Sequence, residues 1–124
     1  MNLYINTAQK DLIEISLKNR NKIVALKKFK SDRTQAEKLL PAIEKLLKAS
    51  KIKLSNLSGV EVENGGGSFT SLRIGVVTAN ALAYALGVAV AGQGKTKAAG
   101  RSKKKFNIVE PIYNREPEIT MKRQ

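Results

Sequence analysis

Apolar and polar positions along the chain change their rhythm four times, and each change marks an element. Leu3-Tyr4-Ile5 is a short apolar run that ends at Asn6-Thr7. From Leu12 to Leu17 the pattern alternates, with Ile13, Ile15 and Leu17 on one face and Glu14 and Ser16 on the other. Asn19-Arg20-Asn21-Lys22 is turn-like, and Ile23 to Phe29 reads as a third strand with Val24 and Leu26 on one face. Three strands joined by short turns predict an antiparallel meander. The period then becomes helical: Ala36, Leu39, Leu40, Ile43, Leu46 and Leu47 recur from about Thr34 to Ala49, with Asp32 or Thr34 as cap. Pro41 falls inside this pattern and should kink the helix or mark its first turn.

Leu57 to Glu63 predicts a fourth strand centred on Val60 and Val62, closed by Asn64-Gly65-Gly66-Gly67. Ser68 is placed to cap a second helix over about Phe69 to Leu86, which Gly87 stops before a fifth strand, Val88 to Ala91. The order βββαβαβ predicts an α/β fold, a mixed five-strand sheet with packed helices. It is the element order of the ribonuclease-H-like and actin-like half-domains, and topology alone implies neither function.

Charge divides the chain further. The net charge of +13 over 124 residues splits as +5 for residues 1–30, +3 for 31–60, −1 for 61–94 and +6 for 95–124. Residues 93–105, QGKTKAAGRSKKK, carry six basic residues and no acid, so they read as a basic flexible linker between a folded unit at 1–92 and an extended C-terminal segment at 106–124. Such a balance favours polyanions, nucleic acid first and an anionic membrane surface second, against the plainer reading of a lysine-rich solubility surface. Lys95, Lys97, Arg101, Lys103, Lys104 and Lys105 are the candidate RNA contacts. Ile74 to Gly92 is uncharged and almost long enough to span a membrane. It is rich in alanine, carries Thr78 and Asn80 and breaks at Gly87, so a buried helix followed by a strand describes it better. The N-terminus has no secretory pattern, and a cytoplasmic location is expected.

The absence of His and Cys removes thiol nucleophiles, His general bases and the usual zinc sites. An actin-like ATPase or ribonuclease-H-like nuclease needs a carboxylate on the first strand, where this chain has the neutral Asn6. Glu61 and Glu63 share one strand face about 7 Å apart, either as a cation pair lacking a third carboxylate or as a solvated face. The triglycine before a helix start is either a phosphate cradle or a tight strand-to-helix turn, and it lacks the Lys-Ser/Thr ending of a P-loop. No enzyme activity, cofactor or metal is expected. The second helix is apolar around most of its circumference, and its alanines suit close approach of another helix.

Gly65-Gly66-Gly67-Ser68-Phe69-Thr70-Ser71-Leu72-Arg73-Ile74-Gly75 resembles the Gly-Pro-Gly-Ser-Phe-Thr-Gly-x-Arg-Ile-Gly motif of the TsaB family, the tRNA threonylcarbamoyladenosine biosynthesis protein B. Gly65, Gly67, Ser68, Phe69, Thr70, Arg73 and Gly75 carry the match, and Gly66 and Ser71 depart from it. Leu3 to Ala8 resembles the family's opening strand, with Asn6-Thr7-Ala8 in place of Asp-Thr-Ser. Ala36 to Leu47 resembles its Ser-Glu-x-Leu-Leu-Pro helix, Pro41 included, and Val109 to Thr120 its C-terminal end. The resemblance implies a shortened form, in which the basic segment 93–105 is expected to stand in place of most of a typical member's second actin-like subdomain.

The resemblance implies a non-catalytic scaffold of the tRNA-modification machinery, paired with a TsaD-like catalytic paralogue and working with a TsaE-like ATPase, with a homodimer as the other association. It implies that both helices meet the partner's pair as a four-helix bundle, through Leu39, Leu40, Ile43, Leu47, Arg73, Ile74, Val77, Thr78, Ala81 and Ala85. tRNA would be reached indirectly or through the basic segment. The alternative is a stand-alone basic nucleic-acid-binding module.

Overall fold

The computed structural model describes residues 1–31, 33–67 and 69–93; Asp32, Ser68 and most of the expected linker and tail (94–124) lie outside the described residues. Its elements are β1 (Asn2–Asn6), β2 (Leu12–Asn19), β3 (Lys22–Lys30), α1 (Gln35–Ala49), β4 (Gly59–Val62), α2 (Phe69–Leu86) and β5 (Ala89–Gly92), with a 3-10 turn at Leu54–Asn56. One sheet runs in the order β3-β2-β1-β4-β5. β1, β2 and β3 pair antiparallel, while β4 and β5 join in parallel through the helical crossovers. The mixed sheet expected from the element order is present.

Register puts the core on one face. Leu3 lies opposite Leu17 and Val60, Ile5 opposite Ile15 and Val62, and Val60 opposite Val90. All seven are buried, together with Leu39, Ile43, Leu46 and Leu47 of α1 and Val76, Ala79 and Ala83 of α2. Both helices therefore cover the same sheet face, α1 over β2 and β3, α2 over β4, β5 and β1.

The structure adds detail to three of these readings. Val24 and Leu26, read together on one face of the third strand, are solvent-facing. Both are more than half exposed: Leu26 pairs with Ser16 on the sheet face opposite the helices, and a bulge leaves Val24 without a partner between the Leu17–Ala25 and Lys18–Ile23 pairs. Pro41 is not in the first turn, since α1 starts six residues earlier and runs through it. Thr34 occupies the N-cap position, but its hydroxyl turns back to the Ser31 carbonyl instead of capping the helix.

Candidate functional site: the glycine motif and the outer face of the helix pair

The motif's glycines are explained by how closely α2 approaches the end of β1. Gly66 has φ +77°, which only glycine adopts at no steric cost. A Cβ on Gly67 would overlap the Ala8 carbonyl, and one on Gly75 would lie 2.6 Å from the Thr7 hydroxyl oxygen. That hydroxyl is buried, donates to the Ser71 carbonyl at 2.6 Å and accepts from the Gly75 N–H at 3.0 Å. Ser71 and Gly75 stand four apart, so Thr7 engages both ends of one helical rung. The amide oxygen of Asn6 accepts from the Ala8 N–H at 2.9 Å and fixes the turn that presents Thr7. Of the other motif residues, Thr70 and Arg73 are exposed on α2, and Gly65 is buried.

The polar residues of β1 and β4 share the face opposite the helices. The Lys18 ammonium meets the Glu61 carboxylate at 2.8 Å and lies 5.2 Å from the Tyr4 ring centroid, and the Asn2 amide donates to the other Glu61 oxygen. Glu61 is thus engaged by a cation and an amide. Tyr4 has its phenol pushed up to about 12, first by burial and then by the carboxylates of Glu63 and Glu14. Among the described residues no three His, Cys, Asp or Glu side chains come together as a metal site.

The expected interface residues split into two groups. Leu39, Ile43 and Leu47 are buried at 5% exposure or less against the chain's own sheet, so they are core residues of α1 and not free surface. This corrects the expectation: α1's main apolar stripe is consumed by β2 and β3. Leu40, Arg73, Val77, Ala81 and Ala85 are exposed, and Ile74 and Thr78 half-buried. Val77 and Leu40 are 61% and 53% exposed, high values for large apolar side chains. Two depressions mark this outer face. One of about 380 Å³ is lined by Ala36, Thr70, Arg73, Ile74, Val77 and Thr78. The other, of about 530 Å³, lies between Leu40, Pro41 and Leu47 of α1, Leu82 of α2, and Ile52 and Leu54 beyond α1. Tyr84, 71% exposed on α2, was missed in the sequence because a helix apolar all round gives no phase. The candidate RNA contacts Lys95, Lys97, Arg101, Lys103, Lys104 and Lys105 lie outside the described residues. No described helix is long and apolar enough to cross a membrane.

Comparison with known proteins bears on this arrangement. The family model of TsaD, tRNA N6-adenosine threonylcarbamoyltransferase, matches residues 29–101. A tRNA N6-adenosine threonylcarbamoyltransferase of Geotalea uraniireducens (strain Rf4) is 39% identical over 62 residues, half of this chain and 18% of that protein. YeaZ from Pseudomonas aeruginosa superposes with a TM-score of 0.69 at 25% identity, over 75% of this chain and 43% of the YeaZ chain. A crystal structure of an uncharacterized protein with similarity to peptidase YeaZ from Pseudomonas aeruginosa gives the same score and identity. The chain therefore spans less than half the length of each of these relatives. The sheet and helix pair are those of the actin-like, ribonuclease-H-like fold of YeaZ. With the matched stretch covering both helices, β4 and β5, the chain belongs to the TsaD family and within it is a TsaB-like protein.

Proposed function

We propose that the chain is a non-catalytic, partner-docking subunit of the machinery that places threonylcarbamoyl on tRNA adenosine, and that it pairs with a TsaD-type protein. One observation carries this reading: Leu40, Val77, Ala81 and Ala85 stay exposed on the helix pair, with Ile74 and Leu82 half-buried beside them. An apolar strip of this kind marks a protein contact, and small residues on it let a facing helix come close. A standard interface buries about 800 Å² on each side, within reach of two helices of 15 and 18 residues. The non-catalytic part rests on chemistry. The first strand carries Asn6 tied to its own turn, the Thr7 hydroxyl is held between two backbone groups, and Glu61 is paired with Lys18. A TsaE-type ATPase and tRNA belong to the same reading through the partner, and self-association uses the same strip when the partner is absent.

Ala81→Arg tests it. Ala81 is exposed, so the arginine reaches solvent in the free chain and leaves circular dichroism and the melting temperature nearly unchanged. Sedimentation velocity with a TsaD-type protein should show a complex for the parent chain and none for the variant. A parent chain that stays monomeric at high concentration with that partner present overturns the assignment.

A further inference from the structure

A second surface, on the far side of α1, carries a different chemistry. From Ile15 to Ser31 the chain has six basic residues and no acid, and four of them, Lys22, Lys27, Lys28 and Lys30, lie on the edge strand β3. Between β3 and α1 runs a groove of about 460 Å³, walled by Lys27 and Phe29 on the strand and by Lys38, Pro41 and Lys45 on the helix. Glu37 is the one acid lining it among the described residues. Lys38 and Lys45 are exposed and seven residues apart, two turns along one side of α1, which spaces them by about 10 Å. No salt bridge among the described residues involves Lys27, Lys38 or Lys45. The Lys27 ammonium lies 5.7 Å from the centroid of the half-buried Phe29 ring, so the strand wall sets a cation beside an aromatic ring.

We propose that this groove holds the backbone of a single-stranded stretch of RNA, with Lys27, Lys38 and Lys45 on phosphates and Phe29 stacking a base. Three ammonium groups with no salt-bridge partner among the described residues, set around a groove beside β3, suit a flexible polyanion, and an aromatic ring among them is how single strands are held without sequence preference. A planar bilayer cannot enter a concave groove. The inference stands on this charge geometry and is independent of the helix-pair interface, which lies on the other side of Leu40 and Pro41.

The test uses the full chain and fluorescein-labelled oligouridine of about 12 nucleotides, within the usual site size of such grooves. Anisotropy titrations over a range of KCl give the salt slope. Three lost phosphate contacts, in Lys27→Gln with Lys38→Gln and Lys45→Gln, should flatten the log–log slope by about 2, at roughly 0.7 each. The control, Lys48→Gln with Lys51→Gln and Lys53→Gln, removes equal charge elsewhere and should keep the groove's share of the slope. If the triple variant does not fold, Lys38→Gln alone should flatten the slope by about 0.7. Phe29→Leu should weaken binding about fivefold or more with the slope unchanged, since stacking is not ionic. Equal slopes for groove and control variants overturn the proposal. So does displacement of the RNA by polyglutamate as readily as by unlabelled RNA, which would reassign the groove to acidic protein segments.

Discussion

Thr7 shows what a single side chain does for the motif. Its hydroxyl takes part in two buried hydrogen bonds that join the end of β1 to the second turn of α2, and Gly75 supplies the space it needs. Thr7→Val keeps the volume and removes both bonds, so we expect a loss of about 2 kcal/mol in urea unfolding, at roughly 1 kcal/mol for each buried bond. Gly67→Ala should cost at least as much, because the neighbour it meets is the Ala8 backbone, which cannot swing aside. Tyr4 gives a pH signature. Its folded value of about 12 stands above the ordinary 10.0, so the fold favours the neutral phenol. That contribution is complete below pH 10 and disappears as pH rises from 10 through 12. The urea midpoint of the parent chain should therefore fall more steeply above pH 10 than that of Tyr4→Phe, and equal slopes would remove Tyr4 from the account.

At the scale of elements, the helix ends separate local chemistry from imposed geometry. α2 ends on Gly87 at φ +72°, with the Val88 N–H donating to the Ala83 carbonyl. α1 ends in the same way, with the Ile52 N–H on the Leu47 carbonyl, but the left-handed residue is Lys51 at φ 58°. Lys51→Gly should therefore stabilise the chain by about 0.5–1 kcal/mol, read as a raised melting temperature, while Gly87→Ala should destabilise it by a similar amount. The β2–β3 hairpin turns through Arg20 and Asn21, both at positive φ, the conformation a two-residue primed turn requires. The turn was legible because Asn21 favours that region, although Arg20 does not. The bulge at Val24 was not, because strand alternation carries no mark of an extra residue.

Across the whole molecule, charge and apolar surface are segregated. One side of the helix pair is apolar, the β3 strand is basic, and the Lys18–Glu61 cluster occupies the sheet face opposite the helix pair. Residues 95–105 add six further cations. Replacing Lys95, Lys97, Arg101, Lys103, Lys104 and Lys105 with Ser should reduce the salt slope for single-stranded RNA by about 3 if some four of them touch phosphate, at roughly 0.7 each. An unchanged slope would leave that segment as solubilising chain.

The order and type of every strand and α-helix were readable from the sequence, since periods of 2 and 3.6 and the glycine stops are local properties of the chain. So was the family, from the resemblance of the Gly65–Gly75 motif, and the structure shows why Gly67 and Gly75 in it are glycines: a Cβ at either would crowd Ala8 or Thr7. Which apolar residues remain exposed was decided only by the tertiary structure. Leu39 and Leu40 are neighbours of equal hydrophobicity, yet one is 1% and the other 53% exposed. Val24 and Leu26 have the composition of core residues and face solvent. The physical reason is the same in both cases. Burial depends on what stands opposite a side chain, and among the described residues the two helices cover one face of the sheet, while Leu26 lies with Ser16, Tyr4 and Glu61 in the row on the other face. The groove of Lys27, Lys38 and Lys45 has that origin too: its two walls are up to 18 residues apart in the chain, and only the packing of α1 beside β3 makes them one surface.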